Sequence, residues 1–175
     1  MKTRAIILKK QNTGEYDQLV TCYTQELGKA MTIAKSILKK NSIQAMHLDL
    51  FNLVEFELIN GNHLPIVTGA QAEKTYPNLK KSLGSLGVAY AIADYIDKIV
   101  FEYSKDDEMW NLLVKMLNDL DLGKQPLPVL KETQAKLLSV MGYQPDASVD
   151  RFFEHIAGRR FNSLSFAYSV LKLKE

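Results

Sequence analysis

Three histidines, one cysteine and one acidic run are what this sequence offers to catalysis, and none of them assembles a reacting group. His47, His63 and His155 stand apart, with no second His or Cys at ligand spacing and no HExxH pattern, so no metal site is expected. Cys22 falls between Val20 and Thr24 in a β-prone run and reads as a small buried hydrophobe rather than a nucleophile. The run Asp106-Asp107-Glu108 suits the positive first turn of a helix better than a Mg²⁺ site. The chain has no Walker loop, GxGxxG or GxSxG. These residues point away from an enzyme and from any cofactor.

What remains is charge. Residues 1–40 carry Lys2, Arg4, Lys9, Lys10, Lys29, Lys35, Lys39 and Lys40 against Glu15, Asp17 and Glu26, a local excess of +5 in a chain whose net charge is +2. Residues 41–175 therefore sum to −3. Such asymmetry implies one face that meets an anion. Lys9 and Lys10 end a first apolar run, and Lys35, Lys39 and Lys40 crowd the exit of a third. A single strand of nucleic acid needs cations for its phosphates and rings for its bases. Tyr16 and Tyr23 are the candidate rings. The competing reading is a solvated lysine face beside core aromatics.

The elements that must position these groups are legible as pattern. Ala5–Leu8, Leu19–Thr24, Ala30–Lys35, Leu48–Ile59 and His63–Thr68 read as five strands. In the fourth, Asn52, Val54, Phe56 and Leu58 share one face and Glu55 and Glu57 the other. Asn12-Thr13-Gly14 marks a turn, and Asn60-Gly61-Asn62 reads as a tight hairpin. Five antiparallel strands of this size close into a barrel. After Thr75 the period changes. Leu86, Ala89, Ala93, Ile96, Val100 and Tyr103 line one face of a long helix, Met109–Leu120 a second, and a third opens at Pro126 and stops at Gly142. Shorter helices are expected over Ser148–Ala157 and Ser163–Leu173. The fold class is α+β: a barrel domain over 1–72 and an all-α domain over 73–175. Ile92, Ile96, Leu113, Leu117, Leu137, Phe152 and Phe166 are expected in the helical core.

The bulk numbers agree with a folded protein: 175 residues, 46% hydrophobic and 24% charged. A lone cysteine excludes an internal disulfide and favours a reducing compartment. Four apolar residues after Met1-Lys2-Thr3-Arg4 are too few for a signal peptide, and the uncharged stretch Ser82–Ala93 is too short for a bilayer. A cytoplasmic protein with no membrane contact is expected.

The order of the residues says more. Arg4-Ala5-Ile6-Ile7-Leu8-Lys9, then Gly14-Glu15-Tyr16-Asp17 and Thr24-Gln25-Glu26-Leu27-Gly28, resemble the opening of RecO, the bacterial recombination mediator, with its GE-x-D turn and T-x-x-x-G hairpin. Lys35-Ser36-Ile37-Leu38-Lys39-Lys40-Asn41-Ser42 is similar to the family's basic K-G-x-R-x-x-x-S segment, with Ser36 in place of glycine and Leu38 where a basic residue is common. Leu48–Ile59 with Asn60-Gly61 looks like its long fourth strand and turn. Leu137-Leu138 through Gly142 to Pro145, and Gly158-Arg159-Arg160-Phe161-Asn162-Ser163, resemble its LL-x-x-x-G-x-x-P and G-[KR]-x-[LF]-x-S elements. The four-cysteine zinc module that many relatives carry after G-x-x-P is missing, so the chain looks like a compact relative.

The resemblance implies an N-terminal OB-fold, a helical C-terminal domain, and binding and annealing of single- and double-stranded DNA. It also implies work with RecR and single-stranded-DNA-binding protein (SSB) to load RecA. Arg4, Lys9, Lys10, Lys29, Lys35, Lys39 and Lys40 are then the expected phosphate contacts, with Tyr16 and Tyr23 as rings and Arg159 and Arg160 as further cations. Two other readings stay open: a protein–protein adaptor whose DNA surface has decayed, and an OB-fold RNA binder. An OB-scaffold nuclease lacks any ligand cluster in the sequence. With one cysteine and scattered histidines, the purified protein is expected to hold no stoichiometric zinc. Elemental analysis checks this, and one zinc per chain contradicts it.

Overall fold

The alternating apolar runs of the N-terminal region form five strands in the computed structural model, which describes residues 1–144 and 148–172. They are β1 (Lys2–Thr13), β2 (Asp17–Thr24), β3 (Gly28–Ala34), β4 (Leu53–Ile59) and β5 (Ile66–Lys74). The strands close into a barrel in the order β1-β2-β3-β5-β4, with β4 returning to β1. This is the OB-fold order. All pairings are antiparallel except β3 with β5, which meet in parallel at Ile33 and Ile66. Ala5, Ile7, Val20, Cys22, Ala30, Val54, Phe56 and Val67 fill the interior. Val54, Phe56 and Leu58 point inward while Glu55 and Glu57 stay exposed, as the period of two requires.

Three local expectations are corrected. Residues 48–52 do not extend β4 backward. Phe51 turns the chain at φ +63° and donates its N–H to the Ile7 carbonyl at 2.8 Å. Asn60–Asn62 is not a tight hairpin either, because Ile59 pairs with Ile66 and residues 60–65 form a wider connection. Pro65 has no N–H to give a ladder; its carbonyl accepts from Ile33 N at 2.9 Å instead. For the same reason β5 starts later than His63 and runs on to Lys74.

Two compact units result. One is Met1–Thr75 together with Phe101–Asp106, and the other holds Tyr76–Val100 and the chain from Asp107 onward. The returning segment completes the barrel unit. Glu102 bridges to Lys29, and Tyr103 N donates to the Lys29 carbonyl at 2.8 Å. Gly28, at φ +73°, lies under this segment so closely that a Cβ would stand 2.1 Å from the Ser104 carbonyl oxygen. Only glycine fits both the backbone conformation and the space.

The helical unit holds α1 (Pro77–Lys81), α2 (Leu83–Ile99), α3 (Asp107–Asp121), α4 (Pro126–Val140), α5 (Val149–Ala157) and α6 (Asn162–Val170). Helix α2 ends at Ile99 rather than Tyr103, because Val100 leaves the helix for extended backbone. Leu173, the expected end of the last helix, lies outside the described residues, as does Pro145. Tyr95 of α2 organises the centre. Its ring stacks on Phe153 of α5 at 4.2 Å, meets Phe161 edge-on at 4.7 Å, and its hydroxyl accepts from Gln134 of α4.

Ile92, Ile96, Leu113, Leu117 and Leu137 are buried as expected. Phe152 and Phe166 are not: Phe152 is half-buried against Tyr143, and Phe166 is exposed. On a helix one residue is about 100° of rotation, and Phe153 takes the inward position. Phe153→Ala is expected to cost about 3–5 kcal/mol, and Phe166→Ala less than about 1 kcal/mol. Urea unfolding of the two variants checks the contrast.

Candidate nucleic-acid interface

The expected cations divide according to what their strands place beside them. On β1, Lys2 and Arg4 face the acidic outer surface of β4 and β5. Lys2 Nζ lies 3.0 Å from Glu57 and 3.7 Å from Glu55. The Arg4 guanidinium grips both oxygens of Glu73, with Nε at 3.0 Å and Nη2 at 2.8 Å. Such a planar fork matches a carboxylate as well as it matches a phosphate. Arg4 therefore answers a charge within the barrel rather than one outside it. Lys10 lies 3.6 Å from Asp49, and Lys9 is half-exposed on the same strand.

Two of the expected contact residues are buried. Lys29 is only 7% exposed, because the Phe101–Asp106 segment lies along β3. Tyr23 is wholly buried and its hydroxyl donates to the Asp106 carbonyl at 3.3 Å, so its ring cannot stack on a base. Nothing within the first forty residues announces this cover.

Lys35, Lys39 and Lys40 are a different case. All three are exposed on the turn-rich segment that leaves β3, and no carboxylate among the described residues pairs with them. Their loop is fastened rather than free. Ser36 turns it at φ +56°. Its N–H donates to Asp17 Oδ1 at 2.6 Å, and Leu38 N donates to the Tyr16 carbonyl at 3.0 Å. Ile37 between them is buried in the barrel core. Farther along, Gln44 Nε2 donates to the Thr68 carbonyl at 3.0 Å, and the Asn52 amide holds the carbonyls of Met46 and His47. His47 Nδ1 accepts from Ala72 N at 3.2 Å, which makes this histidine a structural acceptor.

Tyr16 is the one expected ring that stays at the surface. It is 41% exposed, and Lys39 Nζ lies over it at 5.5 Å from the centroid, within reach of a cation–π attraction. The neighbouring Glu15 carboxylate, accepting from the phenol, pushes the Tyr16 pKa up. The sequence reading missed Asp17 as the fastener of the loop. It also missed Ile43 and Met46, which stand exposed among the lysines. The same connection also holds Ile37, Leu48 and Phe51, which are buried, so residue type alone did not mark Ile43 and Met46 as the ones left outside.

Burial pushes the Cys22 thiol up to about 12, and Sγ donates to the Ala30 carbonyl, so the thiolate is not populated at neutral pH. Among the described residues no three His, Cys, Asp or Glu side chains converge as metal ligands, and no helix is long and apolar enough to cross a membrane. Arg159 and Arg160 belong to the helical unit. There Arg159 lies 3.8 Å from Asp94 and Arg160 stays exposed beside a cleft lined also by Lys131, Asp150 and Tyr168.

The fastening of the lysine loop is testable. A non-glycine residue at positive φ costs about 1–2 kcal/mol, partly offset by the greater freedom of glycine in the unfolded chain. Ser36→Gly is therefore expected to raise stability by about 0.5–1 kcal/mol. Asp17→Ala removes a charged acceptor and is expected to lower it by about 1–2 kcal/mol. Denaturant unfolding of both variants measures the two signs.

Comparison with known proteins agrees with this architecture unit by unit. The N-terminal family model of recombination protein O matches residues 1–76, and its C-terminal model matches residues 81–167. A protein named DNA repair protein RecO from Dehalococcoides mccartyi strain CBDB1 is 32% identical over 145 residues, covering 83% of this chain and 57% of the relative. The protein of that name from Roseiflexus sp. strain RS-1 is 31% identical over 144 residues, covering 82% and 50%. That from Nostoc sp. strain PCC 7120 is 31% identical over 153 residues, covering 85% and 52%. The chain spans about half the length of these curated relatives. With both halves matched in order and an OB barrel preceding a helical unit, this chain belongs to the RecO family.

Proposed function

We propose that this chain is a DNA-binding mediator of recombinational repair that holds and anneals strands without catalysing a covalent step. The observation that carries the reading is the lysine loop. Lys35, Lys39 and Lys40 are exposed, have no acidic partner among the described residues, and sit on a segment tied to the barrel at several points. Cations already paired, like Lys2 and Arg4, have their field cancelled locally. Unpaired ones keep it for a polyanion. Contacts of this kind read no sequence, which suits a protein that must accept any strand.

Partners follow from the family rather than from the surface. We infer RecR and SSB as its companions, with loading of RecA as the outcome and single- and double-stranded DNA as ligands. The helical unit, lying in the acidic part of the sequence, then serves protein contacts better than DNA contacts.

The test is binding of a fluorescent single-stranded oligonucleotide by anisotropy across a salt series. If each lysine neutralises one phosphate, changing all three to Ala flattens log K against log salt by about two units, at roughly 0.7 per contact. Lys2→Ala, on the acidic face, is expected to leave the slope unchanged. A folded triple variant with the parental slope and the parental annealing rate on bare and SSB-coated strands removes this site. An RNA strand of equal length, bound more tightly, would redirect the reading toward RNA.

A further inference from the structure

Beside the lysine loop the barrel unit carries a cleft of about 460 Å³, walled by residues 35–44 on one side and by Val67 and Thr68 of β5 on the other. The volume is within the range of about 300–1,000 Å³ that small-molecule sites occupy. Its chemistry is sorted by position. Lys35 and Lys39 supply positive charge, Asn41 and Ser42 supply hydrogen-bonding groups, and Ile43 supplies an apolar wall. Ile43 is 79% exposed and Met46, on the same loop, 72%. A scattered exposed apolar residue needs no explanation. Two of them beside three lysines with no carboxylate partner among the described residues do, because a polyanion with flat apolar faces is a ligand that satisfies both.

A nucleotide meets both halves of that description. Phosphate takes the lysines, and an unstacked base takes the isoleucine and the ring of Tyr16. We propose that the cleft seats one splayed-out nucleotide of a single strand, with its phosphate on Lys35 and Lys39 and its base against Ile43. Lys39 now covers the Tyr16 ring; moving to the phosphate, it uncovers that ring for the adjoining base. The inference rests on the DNA-binding reading above and adds to it a reason to prefer single strands. A duplex delivers a base to the cleft only after unpairing and unstacking it. The cleft needs no construction on binding, since Asp17 and Thr68 already anchor its loop, and a preformed seat loses less affinity to ordering.

The experiment uses the full chain and an adenine-rich single strand carrying 2-aminopurine at several positions. Stacked 2-aminopurine is dim and unstacked 2-aminopurine is bright. Anisotropy of an end label reports binding, and 2-aminopurine emission reports unstacking. The expected result is a several-fold rise in emission on binding. Ile43→Ala lowers that rise and weakens single-strand binding several-fold, through loss of about two buried methylene-sized groups at roughly 0.8 kcal/mol each when fully covered. Tyr16→Ala weakens it similarly. Neither variant changes the salt slope, because no cation is lost, and neither weakens duplex binding as much. Normal anisotropy with dim 2-aminopurine in the parental protein overturns the nucleotide seat and leaves DNA binding standing. Equal weakening of single-strand and duplex binding in Ile43→Ala also overturns it. Absence of any anisotropy change removes the binding reading and this one together.

Discussion

Strand β1 has to satisfy two neighbours at once, and the rest of the barrel unit depends on how it does so. Over Ala5 and Ile6 it pairs with β2 on one edge and with β4 on the other. At Ile7 the ladder with β2 slips by a bulge before Lys9. A bulge bends and twists its strand, and past it β1 runs on with β2 alone. The edge abandoned by β4 is covered by the loop: Ile7 N donates to Asn52 O, and Phe51 N donates to Ile7 O. Residues 35–52 are thus strapped to the barrel at both ends. Each strap passes through a non-glycine residue at positive φ, Ser36 and Phe51. Backbone in that conformation persists only where the surroundings over-determine it.

Charge is distributed unevenly around the barrel. Glu55, Glu57 and Glu73 lie on outward positions of β4 and β5, where they meet Lys2 and Arg4 of β1. The lysines of the loop lie beyond their reach. A barrel with only a small net charge thereby presents a neutralised face and a cationic one. The difference arises from strand register, not from composition, because register decides which residues share a face.

Much of the fold was legible because it depends on local periodicity. The alternation at Val54–Leu58 and the helical spacing from Ala89 to Ile96 each carry their own direction of burial. The lysine loop was legible too, because Lys35, Lys39 and Lys40 are neighbours in sequence. What could not be read is whatever a distant segment decides. Tyr23 and Lys29 looked available from their own strands, and Phe101–Asp106 covers them. Arg4 looked like a phosphate contact until β5 brought Glu73 beside it. Phe152 and Phe153 both suit a short amphipathic helix, and only the Tyr95 ring selects between them.

The returning segment has a temporal consequence. The barrel unit is not contiguous in the chain: its last piece, Phe101–Asp106, is separated from Thr75 by helices α1 and α2. A chain emerging from the ribosome delivers all five strands before this piece exists. During that interval Tyr23, Gly28 and Lys29 lack the segment that covers them in the finished protein. N-terminal domains generally fold first during synthesis, but this unit can be completed only after α1 and α2 have been made. The order of manufacture therefore ties completion of the first unit to synthesis of part of the second.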